Sequence, residues 1–422
     1  MQQTVSSLWK NSFFQGGVLF TAANFFAGFL NYLFNSLSAK TLGPAGYSEI
    51  TGLFAYLALL SVPTLVIITE VVRRLGISGE KQIETFKRWE SWLISKTKKW
   101  IFLLVPYLLL GFFLPWLTNL SLASSFALLI LFLLGLAGSF YIASLQGLHR
   151  LWTVSWIITL AALIKLTGPI AAFPYSDQLS NILFFLIASG MLLIILTKSA
   201  LKTNKILSPT ESTKKVERRL FDVIMNKSTL ITVSSLIGIN VLNNLDVIFS
   251  KKFFPAFDAG VYGGWSLLAK IIFYVCGPLL SLALIFFSSA NYSKYHKRVL
   301  FIGLLFFIIT GLFFYFTYNL FGNGLISLIF NQQYAVLLPY LSFAAIFGSL
   351  YTGIYFLNTF FLAKNSPFSL IALVGTPIYA LLLFFYGKSL QAIMIINILL
   401  ATAIFLLYLS LIFYYNMRHN GS

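Results

Sequence analysis

Charge is scarce in this sequence. Of its 422 residues only 9% are charged, whereas 59% are hydrophobic, and the mean hydropathy is +0.87. Soluble domains carry about 25% charged residues, so this composition excludes a soluble globular protein. It indicates an integral membrane protein with many spans.

Cysteine and histidine are also nearly absent. The single Cys276 excludes an intrachain disulfide, and three histidines leave little for a metal site. The histidines fall at the ends of apolar runs, and no paired carboxylates or large outer loop accompany them. A membrane glycosyltransferase or polymerase needs convergent acid and base groups. We therefore predict no enzyme activity, no metal and no cofactor.

Long apolar runs fill most of the chain. A helix needs about 20 apolar residues to cross the hydrocarbon core, and this criterion predicts twelve spans, six in each half. They are residues 13–38, 47–72, 100–118, 122–147, 152–173, 179–197, 229–250, 260–288, 299–320, 335–362, 367–386 and 391–415. The N-terminal run lacks a small-residue cleavage site, which favours a retained helix over a signal peptide.

One polar run is long enough to separate two lobes. We predict an all-α fold with a six-helix lobe over residues 1–198, a cytoplasmic basic linker over 199–228 and a second six-helix lobe over 229–422. No filter-like repeat of loops is present, which disfavours a channel.

The cations are distributed unevenly. Of 29 Lys and Arg residues, 23 fall on one side of the predicted topology and two fall within spans. The predicted outer loops hold only four, which are Lys40, Lys251, Lys252 and Lys388. The positive-inside rule therefore predicts that both termini are cytoplasmic. Many of these cations lie near Trp89, Trp92 and Trp100, a pattern typical of contact with anionic lipid, so the net charge of +18 does not indicate a nucleic-acid partner.

The chain contains an internal repeat. Residues 39–66 share their order of parts with residues 252–283: a short loop with Ala-Gly and Tyr, then an apolar helix with a proline in its second half. Upstream, Leu30-Asn31 aligns with Leu245-Asp246. Internal repeats in membrane proteins are typical of transporters, in which two halves alternate access to a site.

Three charged residues stand inside the predicted spans: Lys165, Asp246 and Lys270. A charge in a bilayer costs at least about 3 kcal/mol and usually serves a function. We predict that all three face a cavity inside the protein. Helical spacing places Thr232, Ser235, Asn243 and Ser250 on the face of Asp246.

The first span carries a second polar line, formed by Asn24, Asn31 and Asn35. These asparagines and Asn243 either line a substrate cavity or bond packed helices to one another. Pro63, Pro169, Pro278 and Pro377 predict kinks, which serve either gating or packing. The pattern does not separate these alternatives.

Several short motifs resemble a known family. They are LGPAGY at 42–47, LQGLHR at 145–150, NNLDVIF at 243–249 and DAGVY at 258–262. In this order along twelve spans they resemble the polysaccharide flippases of the multidrug/oligosaccharidyl-lipid/polysaccharide exporter superfamily. The lipid II flippase branch commonly has fourteen helices, for which this chain has no room.

The resemblance implies a V-shaped pair of lobes in the bacterial plasma membrane that moves a polyprenyl-pyrophosphate-linked oligosaccharide to the outer leaflet. It implies that Lys165 and Lys270 contact the pyrophosphate and that Asp246 couples H⁺ or Na⁺. Polysaccharide polymerase or glycosyltransferases would be partners. A cation-coupled drug or metabolite antiporter of the same superfamily is the alternative, and a scaffold without transport is a further one.

Overall fold

A computed structural model describes residues 12–78, 81–172, 177–202, 227–288 and 296–419. In this part of the chain the regular secondary structure is helical throughout. The linker predicted at 199–228 lies largely outside the described residues. The first residues of the predicted linker, up to Leu201, belong to the end of a helix.

Fourteen α-helices form the described chain. They are α1 (Ser12–Leu60), α2 (Val62–Ile77), α3 (Gln82–Trp100), α4 (Leu104–Leu109), α5 (Leu114–Thr118), α6 (Leu122–Gly147), α7 (Leu151–Ala172), α8 (Gln178–Leu201), α9 (Lys227–Phe253), α10 (Ala256–Ser288), α11 (His296–Ile329), α12 (Leu341–Ala363), α13 (Ile371–Tyr386) and α14 (Leu390–His419). Short 3₁₀ segments cover 101–103, 110–112, 332–340 and 367–370.

The helices confirm the predicted membrane class. Among the described residues, nine stretches are long and apolar enough to cross a membrane, and they coincide with the fourth to twelfth predicted spans. The pair formed by α1 and α2 contains the first two spans and bends by 49° at its break. Pro63 stands in the first turn of α2, where a proline needs no backbone donor. The chain is therefore a multi-pass membrane protein.

The third predicted span, residues 100–118, is helical but interrupted. Two 3₁₀ turns separate α3, α4 and α5, so no continuous helix of spanning length forms there. Pro106 and Pro115 lack the backbone N–H that an uninterrupted helix uses. Gly111 lies against Phe126 of α6, and a Cβ on this glycine would come within 2.7 Å of the ring. The sequence located this span and did not predict its breaks.

α1 folds back on itself at Gly43. This glycine has φ 64° and ψ 179°, a conformation that side chains disfavour. Tyr47 Oη donates to Asn35 Oδ1 at 3.4 Å, although 12 residues of straight helix would span about 18 Å. The segments 12–42 and 44–60 are therefore separate helices, as the first two predicted spans require.

The described residues form two compact units. The first contains residues up to Phe34 and from Leu60 to Lys202, and the second contains Asn35–Leu59 together with the chain from Lys227 onward. Residues 35–59 thus pack with the second half of the sequence. This division differs from the predicted boundaries at 198 and 229, which treated each half as one lobe.

The two copies of the repeat touch each other inside the second unit. Gly260 of α10 packs against the backbone of Pro44, and a Cβ on Gly260 would lie 1.6 Å from the Pro44 carbonyl oxygen. Gly263 lies similarly close to Thr51, because a Cβ on this glycine would come within 2.7 Å of the Thr51 methyl carbon. Ser36 Oγ donates to the Ile329 carbonyl at 2.7 Å. The small residues of both motifs therefore serve close helix packing.

This contact yields a test with a matched control. Gly260→Ala adds a methyl group where the backbone of Pro44 stands, so we expect a loss of stability of about 1–3 kcal/mol, the usual cost of overpacking. Gly277→Ala lies on the same helix, where a Cβ would meet nothing within 4 Å, and it should leave stability unchanged or raise it. Thermal unfolding in detergent compares the two variants, and an equal midpoint would contradict the packing described here.

Candidate functional site

Lys165 of α7 is held by α1 within the first unit. Its Nζ donates to Asn31 Oδ1 at 2.8 Å and lies 4.4 Å from the centre of the Phe34 ring. Asn31 Nδ2 in turn donates to the Ala27 carbonyl at 2.8 Å. The ammonium group is therefore stabilised by an amide dipole and an aromatic face, both of which are neutral. This contact brings together two residues that the sequence selected.

The other asparagines of the first span have different surroundings. Asn24 is exposed and donates to the Phe20 carbonyl of its own helix, at 2.7 Å. Asn35 belongs to the second unit and accepts the hydroxyl of Tyr47. The line of Asn24, Asn31 and Asn35 therefore contains one lysine-binding residue, and the roles of Asn24 and Asn35 in substrate binding stay predictions.

Asp246 of α9 lies at the centre of a buried polar cluster in the second unit, with 1% of its surface exposed. Its Oδ2 accepts Tyr262 Oη at 2.5 Å and Asn397 Nδ2 at 2.9 Å. Tyr379 Oη donates to Asn397 Oδ1 and completes the cluster. α9, α10, α13 and α14 each supply one member, so the Asp246 cluster ties four helices around one carboxylate.

The second carboxylate oxygen of Asp246 is less well satisfied. Oδ1 is buried and has no hydrogen bond of normal geometry within the described chain, although the backbone of Val247 lies close enough to interact with the carboxyl. A buried acceptor without a donor costs about 1–3 kcal/mol. A proton or a small cation bound at this oxygen would consequently stabilise the carboxyl more than one bound at Oδ2. In the described chain no group of three or more His, Cys, Asp or Glu side chains is placed to hold a metal.

Lys270 of α10 is bound by Asn244, two residues before Asp246. Its Nζ donates to Asn244 Oδ1 at 3.3 Å, and no carboxylate lies within 4 Å of it among the described residues. Lys270 and Asp246 are still close enough for their charges to interact. The lysine therefore contacts a neutral amide, and the Asp246 carboxyl lies beyond contact distance.

The remaining polar face of α9 serves packing for the most part. Ser235 is buried and exchanges hydrogen bonds with Asn358 of α12, whose Oδ1 also accepts Tyr408 Oη at 2.9 Å. Ser250 donates to its own helix. Asn243 has a buried Oδ1 without a partner in the described chain. Asn244, which the sequence analysis did not select, contacts Lys270 instead.

Sequence reasoning also missed the partners of Asp246. Tyr262 belongs to the repeat motif DAGVY, and Asn397 is a lone amide in an otherwise apolar run. Such an amide in a span is a weak signal by itself, because asparagine also bonds packed helices. Only the fold shows that both groups point at the same carboxylate oxygen.

The fold resembles solved membrane transporters. The inward-facing conformation of a multidrug resistance MATE family transporter of the MOP superfamily superposes with a TM-score of 0.70 at 12% identity, over 92% of this chain and 96% of that one. Lipid II flippase MurJ, in an inward closed conformation, superposes with a TM-score of 0.69 at 15% identity, over 94% and 87%. The eukaryotic MATE transporter AtDTX14 gives 0.58 at 12% identity, over 96% of each chain.

Comparisons at the sequence level give no match. Neither a protein-family model nor a curated protein matches the chain significantly. The similarity therefore lies in the backbone over nearly the full length, and at these identities it establishes the fold alone. The chain shares the fold of these solved proteins, which include a MATE family transporter of the MOP superfamily and lipid II flippase MurJ.

Proposed function

We propose that this protein is a transporter that flips a polyprenyl-pyrophosphate-linked oligosaccharide across the bacterial plasma membrane by alternating access. The observation that carries the proposal is the pair of lysines held within spans by neutral asparagines, Lys165 by Asn31 and Lys270 by Asn244. Each half of the sequence contributes one such lysine. Of the parts of the substrate, the pyrophosphate costs the most free energy to move from water into hydrocarbon. Nearby cations offset the loss of its hydration.

The amides explain how a lysine within a span can remain able to bind an anion. An amide oxygen accepts a hydrogen bond from the ammonium group without cancelling its charge. A carboxylate at the same place would neutralise the lysine and compete with the pyrophosphate. Asn31 and Asn244 thus stabilise the empty state weakly enough for a phosphate oxygen to replace them. The oligosaccharide would follow through polar surroundings, and the polyprenyl chain would remain in lipid.

Asp246 is proposed as the coupling residue for H⁺ or Na⁺. Its unsatisfied Oδ1 offers a place for a proton or cation, while Tyr262 and Asn397 fix Oδ2. Occupation of this carboxylate would change the charge near Lys270 by one unit. Such a change alters the hold on an anionic substrate and biases the two access states.

The proposed substrate implies partner enzymes and an orientation in the membrane. A lipid-linked oligosaccharide is made by glycosyltransferases at the cytoplasmic face, and an exported repeat unit is used by a polymerase outside, so these enzymes are the proposed partners. Both termini are proposed to be cytoplasmic, and anionic lipids to contact the basic segments. α3 presents such a segment, with Lys98, Lys99 and Trp100 exposed.

A cation-coupled drug or metabolite antiporter is the second candidate. It is favoured by the buried Asp246 cluster, because exchange against H⁺ or Na⁺ needs a protected carboxylate. It has no evident need for two lysines in spans, since these would repel the cationic compounds that an acidic cavity takes. The lysine variants therefore separate the two candidates.

The lysines are tested by neutralisation. We expect Lys165→Ala and Lys270→Ala each to abolish export of the lipid-linked sugar at normal protein abundance, because each removes a cation that binds the pyrophosphate. Lys→Arg variants should keep part of the activity, since arginine remains charged and suits phosphate geometry. Complementation of polysaccharide export measures this, beside immunodetection in membranes. Full export by the double alanine variant would place the binding site elsewhere.

The coupling role of Asp246 is tested with two conservative changes. Asp246→Asn keeps the size of the side chain and removes its titration, so substrate binding should persist while turnover stops. Tyr262→Phe removes one hydrogen bond to Oδ2 and should lower thermal stability by about 1–3 kcal/mol with transport retained in part. Binding is measured with the purified protein and turnover in vesicles. Normal, ion-dependent turnover by Asp246→Asn would refute the coupling role.

A further inference from the structure

Lys251 is buried where the topology predicted a cation of an outer loop. It stands in the last turn of α9, and its Nζ donates to Glu49 Oε1 at 2.6 Å and to Ser48 Oγ at 3.0 Å. The lysine side chain is 4% exposed and that of Glu49 is 14% exposed. Three polar groups thus form an enclosed contact inside the second unit.

A buried ion pair of this kind is a poor device for stability alone. Removing two charges from water costs several kcal/mol, which the attraction between them repays only with good geometry, and apolar replacements often stabilise a protein as well. When one partner is lost, however, the other is left as an uncompensated charge. Such a pair therefore strongly favours the one arrangement in which both partners meet.

The ion pair joins the two halves of the sequence. Glu49 follows the turn at Gly43 in the first copy of the repeat, and Lys251 directly precedes the second copy. Beside it, Pro44 meets Gly260 without space for a methyl group. These contacts fasten residues 35–59 to the second half, whereas the rest of the first half belongs to the other unit.

We propose that the ion pair of Glu49 and Lys251 is a latch that holds the repeat copies together in one access state and opens in the other. The proposal rests on the alternating-access function proposed above, in which the sequence halves must separate on one side of the membrane. Lys251 lies two residues before the end of α9, and Glu49 lies six residues after the turn at Gly43.

The latch is tested by thiol reactivity. Cys276 is the only cysteine, so Cys276→Ala provides a thiol-free background, and Ser38→Cys adds a nearly isosteric reporter at a site with 0% exposure near Gly43. Ser235→Cys, also at a site with 0% exposure and on the same helix as Lys251, is the matched control. The protein in nanodiscs is treated with a water-soluble maleimide, which reaches both faces.

We expect Glu49→Gln and Lys251→Gln each to raise the labelling rate of the Ser38→Cys thiol by roughly tenfold, an effect of the size of common conformational couplings. The labelling rate of the Ser235→Cys thiol should not change. The charge exchange, Glu49→Lys with Lys251→Glu, should restore slow labelling of the reporter, because it restores the attraction.

Three results would overturn the latch. They are unchanged labelling of the reporter in both single variants, faster labelling of reporter and control alike, and fast labelling that persists after the charge exchange. No substrate enters this assay, so its result stands apart from the substrate assignment. If the latch behaves as expected and the lysine variants still export fully, the proposed substrate site is wrong and the latch remains.

Discussion

A charge placed inside an apolar helix bundle has to find a partner there, because lipid and hydrocarbon side chains offer none. This constraint accounts for the principal polar contacts of the chain. Lys165 and Lys270 are met by asparagines, Asp246 by a tyrosine and an asparagine, and Lys251 by Glu49. The partners differ in charge: Lys165 and Lys270 contact neutral amides, whereas Lys251 contacts a carboxylate.

The same constraint connects the repeat to function. In each copy the motif tyrosine is buried and donates to a polar residue of the preceding helix: Tyr47 to Asn35 and Tyr262 to Asp246. The glycines of both motifs allow backbones to approach at Pro44 and Gly260. The motifs that carry the family resemblance are therefore packing elements, which position the charged residues and do not themselves bind substrate in this account.

Much of the fold could be predicted from the sequence. Apolar runs of spanning length locate the nine stretches of the described chain that could cross a membrane, and α6 begins and ends where the sequence placed it, at 122 and 147. The breaks of the third span were harder, because prolines are also tolerated in membrane helices. The packing of residues 35–59 with the second half depends on contacts between residues far apart in sequence, such as Ser36 with Ile329. Helical periodicity carries no information about such contacts.

The candidate site was predictable only in part. In-span charge identified Lys165, Lys270 and Asp246, and one of the selected asparagines, Asn31, does contact a lysine. Asn397 and Tyr379 come from distant helices, so nothing local linked them to Asp246. Lys251 was assigned to a loop because its position at a helix end is also where topology places exposed cations. Lys251 is instead buried, where it pairs with Glu49.

The central claim is that the two in-span lysines carry a pyrophosphate headgroup across the membrane. Purified protein in liposomes, supplied with a fluorescent polyprenyl-pyrophosphate-linked sugar, tests it most directly through the rate at which the label becomes accessible to an external quencher or enzyme. The account predicts flipping that is fast relative to protein-free liposomes and lost with the lysine variants. Flipping at the protein-free rate, together with ion-driven exchange of an organic cation by the same preparation, would contradict it.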